Sequence, residues 1–371
     1  MDLALTESEL ALRDSVRQFV RQEASTPVLT GLSESPQPWR PEWLPTLAAA
    51  GWLGIFVPGE LGGAGASTMD AAVLMEELGR GPVPGPMLPS SVVSALLLRS
   101  AGAGPARDEL LAGIAAGTHV VIPALREPGA SWRGAGSASA DLIGDGRLTG
   151  TKLFAAYADA ATHFLVSLAP ARSGQSRFAI VPAGEAGVSV RSLTGFLHAS
   201  YTVDFSEVPV PSAQVLHAPG ADELDAALAP GLVALAAYQA GGCQAVLDMS
   251  IGYASSREQF GMPIGRFQRV QDHIVRILNA ADTARWASYE AAWALDSSQR
   301  AAPARAHLAA SVASESYIEA ANAGHEVHAG IGSDPQYGLT LFTQESRSLF
   351  EFLGSPDWHR ARLADGLGWA S

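Results

Sequence analysis

Apolar and polar positions repeat with a helical period over the first part of the chain. Thr6 and Glu9 have the spacing of a capping box, and Leu5 and Leu10 that of a hydrophobic staple. Leu12, Val16, Phe19 and Val20 carry one apolar face onward from there. A second helix is predicted over 41–47, ending near Gly51. Residues 57–65 hold four glycines and a proline, which predicts a loop. Ser67 with Asp70 predicts the next helix start, and Gly79 its stop. The proline- and glycine-rich stretch 81–89 predicts a rigid turn before an apolar helix around 90–100.

The period changes near Thr118. Short β-rich runs at 119–124, 164–168, 178–181, 188–190 and 201–205 alternate with turn residues. Their hairpin-like spacing predicts an antiparallel sheet or small barrel rather than βαβ units. Beyond Asp222 the helical period returns over 232–257, 266–296, 303–324 and 337–353, the pattern of an up-down four-helix bundle. The expected fold class is therefore α+β. An N-terminal helical domain (1–117) leads to a middle antiparallel β-domain (118–221) and a C-terminal four-helix bundle (222–371).

Composition narrows the function classes. With 47% hydrophobic and 16% charged residues among 371, the chain is a folded protein rather than a disordered one. Its 24 basic against 37 acidic side chains, net −13, argue against a nucleic-acid partner and against an electrostatic hold on anionic membranes. Cys243 is the only cysteine, which removes disulfide frameworks and Cys-rich metal sites. The acidic, amphipathic start does not read as a signal peptide, and no uninterrupted apolar run reaches about 18 residues, so a cytoplasmic protein without membrane spans is expected. Lys152 is the only lysine, which reads as a compositional bias.

The glycine clusters do not have the strand–turn–helix setting of a dinucleotide fingerprint. His325 and His328 are three apart, where a two-histidine zinc helix needs four and a third ligand, so no metal is expected. The informative stretch is 253–273, YASSREQFGMPIGRFQRVQDH. It reads as a helix ending at Gly261, a tight turn through Pro263 and Gly265, and a new helix. That turn brings Arg257, Gln259 and Gln268 to one end of the bundle, where a guanidinium can grip a pyrophosphate. The residues alone read equally well as a helix hairpin with solvated charges.

This stretch resembles the R-x-Q-F-G-x-P-I-x-x-F-Q motif of the acyl-CoA dehydrogenase family of flavoproteins. Five further segments resemble family markers in the same order: the loop at 52–65, EELGR at 76–80, ALREPG at 124–129, GTKLF with VPVP in the middle domain, and HAGIG at 328–332. The resemblance implies FAD held between the β-domain and the bundle, with its adenine end reaching a neighbouring subunit. It implies that Arg257 and Phe260, helped by Gln268, contact the pyrophosphate and adenine side. Glu326 and Gly330 close over the same dinucleotide, and Leu125, Arg126, Phe154 and Ala156 face the isoalloxazine ring. The implied substrate is an acyl-CoA or other acyl thioester, and the implied partners are a second copy or a sister subunit and an electron-transfer acceptor.

The departures concern catalysis. The family removes an α-proton with a glutamate at one of two positions. One is 26 residues before the motif arginine, here Gly231; the other precedes the glycine of a Y-E-G pattern, here Leu353. Neither carries a carboxylate, and Glu351 is the nearest acid, followed by Asp357. Arg126 replaces a usual threonine, Ser131-Trp-Arg replaces a G-S-D turn, Ala156 lacks a hydroxyl near flavin N5, and Glu326 replaces a neutral amide. The pattern resembles the shorter actinobacterial-type members, some of which are non-catalytic halves of α₂β₂ dehydrogenases. Three expectations compete: a working dehydrogenase with an unrecognised base, a base-less FAD-holding subunit, and a diverged flavin oxidase or monooxygenase acting on a carrier-bound metabolite.

Overall fold

The computed structural model describes residues 4–35, 37–129, 140–143, 146–169, 176–193 and 199–369. The chain divides into two compact units, one of residues 1–38, 67–84 and 232–371, the other of 39–66 and 85–231.

In the first unit, α1 (Glu7–Glu23) opens with the expected capping box at Thr6 and buries Val16 and Phe19. Helix α2 (Thr26–Ser33) follows. The residues 68–80 form α4 (Thr68–Arg80), α3 (Trp43–Ala49) lying in the other unit. Ser67 and Asp70 make the second expected box, and Asp296 adds two acceptors for the backbone N–H groups of Thr68 and Met69. Gly79 is not the stop expected from sequence: α4 runs through it to Arg80. Its lack of a Cβ serves a helix crossing. A Cβ on Gly79 would collide with the Tyr238 carbonyl, and one on Gly241 with that of Glu76. The crossing is tied by charge, because buried Glu76 accepts two hydrogen bonds from Arg285 and buried Glu77 pairs with Arg17 at 2.8 Å.

The bundle itself comes from α7 (Ala221–Ser256), α8 (Gln268–Asp296), α9 (Ala302–His328) and α10 (Leu339–Leu349). Helix α7 starts well before the expected residue 232 and passes through Pro230. Proline in a helix interior costs about 3 kcal/mol, but Leu228, Ala229, Leu232 and Val233 on either side are all buried, which holds the helix together. This helix is long and apolar enough to cross a membrane by composition, yet 83% of its most apolar window is buried inside the protein. Helix α10 stops at Leu349, short of the expected 353, and α11 (Pro356–Leu367), which the sequence reading missed, packs on α9.

In the second unit, a π-helical segment (Met87–Ser94) leads into α5 (Ala95–Ser100) and α6 (Pro105–Ala116). The strands are β1 (Val121–Ala124), β2 (Asp141–Ile143), β3 (Arg147–Ala156), β4 (His163–Leu168), β5 (Arg177–Pro182), β6 (Val188–Ser192), β7 (Ser200–Pro209) and β8 (Val215–His217). They form two sheets, ordered β1-β4-β5-β8 and β2-β3-β7-β6. Ile122, Ala124, Phe164, Val166, Leu148, Val203 and Phe205 share one core, with Phe164 edge-on to Phe205 at 6.1 Å. The expectation of antiparallel pairing fails at one place: β1 pairs parallel with β4, Val121 opposite His163. A parallel pair needs a long crossover, and here β2 and β3 of the other sheet supply it. Strand β3 is ten residues long and was not among the expected runs, because Gly150 and Lys152 interrupt its apolar alternation.

Candidate functional site

The residues singled out from sequence fall into two groups, one in each unit. In the first unit, α7 ends at Ser256 and a tight hairpin follows, β9 (Glu258–Gln259) against β10 (Met262–Pro263). The Arg257 N–H caps back to the Tyr253 carbonyl, and the Arg257 carbonyl accepts from Ile264, each at 2.8 Å. The Arg257 guanidinium is exposed and has no ion pair among the described residues, whereas Arg269 is engaged by Asp272 at 3.2 Å. Phe260 lies at the hairpin tip with φ +53 and is 89% exposed, touching Phe267 edge-on at 6.0 Å. A large aromatic that is both outside the core and in the left-handed region is a costly arrangement, of the kind found at binding sites. Exposed Gln268 begins α8, whose N-terminus has no side-chain cap.

The second piece of this group is the α9 end. Tyr253 and His328 stack with centroids 4.8 Å apart, and Tyr337 stands edge-on to Tyr253 at 6.3 Å. The stack fastens the α7 and α9 ends together, one turn from Arg257 on one side and two residues from Glu326 on the other. Glu326 and Gly330 are both exposed. Ala329, between His328 and Gly330, has φ +51 and ψ −134, a conformation that suits glycine. Burial holds the His328 imidazole below its ordinary range; burial also lowers His325, helped by the nearby Arg347 charge.

In the second unit, Leu125 and Arg126 follow β1, and Phe154 and Ala156 lie near the end of β3. The β3–β7 ladder shifts register between Lys152 and Ala155, so Leu153 and Phe154 form a bulge. Phe154 has φ +56 and is 42% exposed, turned out of the pleat. The Leu153 N–H donates to the Arg126 carbonyl at 2.8 Å, and the Arg126 guanidinium lies 4.9 Å from the Phe154 ring centroid. Leu125, Arg126 and Phe154 are thus brought together. Ala156 pairs with Ser200 in the ladder two residues on.

The two positions where the resemblance places a base are both buried and carry no acid. Gly231 is buried, and a Cβ there would meet the Leu96 and Val92 side chains at 3.0 and 3.5 Å. Leu353 is buried as well, Glu351 is exposed, and Asp357 is exposed and paired with Arg360 at 2.6 Å. The Ser131-Trp-Arg turn lies outside the described residues.

Two features escaped the sequence reading. Glu345, on α10, accepts a hydrogen bond from the Tyr238 hydroxyl at 3.3 Å, and burial pushes its carboxyl from the ordinary 4.5 up to about 7. Lys152 is fully buried and pairs with Glu127 at 2.6 Å. A lone lysine on the Leu148 side of a strand, facing the core, was the signal that could have found it.

The element order, helices followed by two β-sheets and a helix bundle, is the layout expected from the sequence for a flavoprotein oxidoreductase. The chain belongs to the acyl-CoA dehydrogenase family: its N-terminal domain model matches residues 6–118 and its C-terminal domain model residues 220–368. A relative in Bacillus subtilis, described as the probable acyl-CoA dehydrogenase YngJ, is 27% identical over 99% of this chain and its own full length. Among solved structures, the ChsE4-ChsE5 complex from Mycobacterium tuberculosis superposes with a TM-score of 0.85 at 25% identity, covering all of both chains. A structure described as the FAD complex of PigA superposes with a TM-score of 0.86 at 22% identity over all of both chains, a likeness of fold.

Each group taken by itself fits one part of a flavin dinucleotide. An unpaired guanidinium, an uncapped helix start and an exposed aromatic suit a pyrophosphate and adenine; an exposed phenyl ring under a second guanidinium suits a planar ring system.

Proposed function

We propose that the chain holds FAD and serves acyl thioester dehydrogenation as the base-less subunit of a heteromeric acyl-CoA dehydrogenase. The observation that carries this reading is that the two positions where the resemblance places a base hold a glycine against Leu96 and Val92 and a buried leucine, Gly231 and Leu353. Neither position carries a group that could accept the α-proton. When bound, FAD supplies the hydride acceptor for the substrate β-hydrogen.

The chain's own residues bind and orient. Arg257 and Gln268 would neutralise and hydrogen-bond the pyrophosphate, with Phe260 packing on the adenine side and Glu326 and Gly330 closing over the dinucleotide. Leu125, Arg126, Phe154 and Ala156 would bound the isoalloxazine edge. The proton-abstracting carboxylate would belong to a sister acyl-CoA dehydrogenase subunit, and an electron-transfer acceptor would take up the electrons. The heteromeric structural relative supports such a pairing, as does the exposed position of Phe260 and Arg257, suited to reaching across a subunit interface.

Purified chain supplied with FAD is the test. The expected result is a non-covalent flavin complex that is at least dimeric by light scattering. A flavin-free monomer at saturating FAD contradicts the proposal.

A further inference from the structure

Lys152 sits on β3 one residue before the bulge, and its ammonium uses all three of its hydrogens inside the β-domain. It donates to Glu127 Oε1 at 2.6 Å, to the Ser167 carbonyl at 2.7 Å and to Ser167 Oγ at 2.9 Å. The Ser167 hydroxyl passes its own hydrogen to the Leu125 carbonyl at 3.1 Å. Glu127 Oε1 also accepts the Ala140 N–H at 3.0 Å, and Gly150 makes room for Ala140, because a Cβ at 150 would lie 2.6 Å from that of Ala140.

One buried cation therefore tethers the segment after β1 at two points, Leu125 through Ser167 and Glu127 directly. Arg126 lies between the tethers. Its carbonyl takes the bulge N–H of Leu153 and its guanidinium covers Phe154. A buried ion pair is a poor source of stability, since apolar side chains of similar volume commonly serve as well or better. What it adds is a fixed geometry. Burial lowers the pKa of the Lys152 ammonium, and the hydrogen bond and charge of Glu127 oppose that.

We propose that Lys152 is a positioning residue: with Glu127 and Ser167 it clamps Arg126 against the Phe154 bulge, so that the two present a preformed face to the flavin ring. This rests on the FAD reading above. It assigns a role to the lysine and serine that the sequence motif did not.

Two variants test the clamp. Ser167→Ala cuts the relay to Leu125 without changing charge, and Lys152→Met/Glu127→Gln removes both charges together. Hydrogen exchange on FAD-free protein reads the Leu153 amide. It should exchange about tenfold faster in both variants, the equivalent of about one lost hydrogen bond, while the Val166 and Ala179 amides of the β4–β5 ladder keep their protection. In FAD-loaded protein, iodide should quench the bound flavin about threefold more readily, with FAD affinity unchanged within about threefold. Unchanged Leu153 exchange overturns the proposal, as does protection lost evenly across β4 and β5, or faster exchange with unaltered quenching. If the double variant does not fold, Ser167→Ala decides. If the wild-type chain takes up no FAD, the cofactor reading fails and the exchange arm still judges the clamp.

Discussion

Glu345→Gln removes one titration from the bundle interior while keeping an oxygen for the Tyr238 hydroxyl, so its effect on stability should depend on pH in a defined direction. The folded carboxyl titrates at about 7 against an ordinary 4.5, because burial penalises its charged form more than Tyr238 relieves it. A carboxyl raised in this way favours the folded state below pH 4.5, and that advantage is lost as pH rises through about 7. Between roughly pH 5.5 and pH 8 the linkage amounts to about 2 kcal/mol. Glu345 keeps some solvent exposure, and screening brings this to about 1–2 kcal/mol. The assay is paired urea unfolding of wild type and variant at several pH values, taking the difference so that every other titrating group cancels. The variant should gain on the wild type steadily as pH rises and level off above pH 7.5 or so. A difference independent of pH would show that Glu345 ionises normally and that its burial is not felt.

Arg257→Ala should weaken FAD retention by about 1.5–3 kcal/mol, or roughly tenfold to a hundredfold, while Arg269→Ala, already engaged by Asp272, should change it little; equal affinities by equilibrium titration would remove Arg257 from the cofactor site. Ala329→Gly should stabilise the fold by about 0.5–1 kcal/mol, since relief of a left-handed backbone is worth about 1–2 kcal/mol and glycine's freedom in the unfolded chain returns part of it. A lower melting temperature for that variant would show that the backbone at 329 is not strained.

Signals that are local in sequence were the legible ones. Both capping boxes, at Thr6–Glu9 and Ser67–Asp70, form as spaced, because the side chain and the backbone groups it serves lie within one turn. Gly79 misled for the opposite reason. A glycine reads locally as a stop, and only the distant Tyr238 backbone explains why α4 needs one in its interior. The parallel β1–β4 pair and the long β3 were illegible on similar grounds, since a crossover partner and a buried Lys152 are both settled by residues far along the chain. At the candidate site, motif spacing selected Phe154 and Phe260, but not the positive φ that turns each ring outward. Lys152 was visible as the sole lysine. Its partners Glu127 and Ser167 come to it only through folding.

On the proposed function, the chain holds a flavin that it cannot reduce unaided. The most direct measurement is the visible spectrum of the FAD-loaded chain, mixed anaerobically with a straight-chain acyl-CoA, alone and with a base-bearing sister subunit. General base catalysis contributes about 10²–10⁴-fold, so bleaching should be slower by about that factor in the isolated chain and rapid in the complex. Rapid bleaching by the chain alone contradicts it, and if Glu351→Gln abolishes that bleaching, Glu351 is the base.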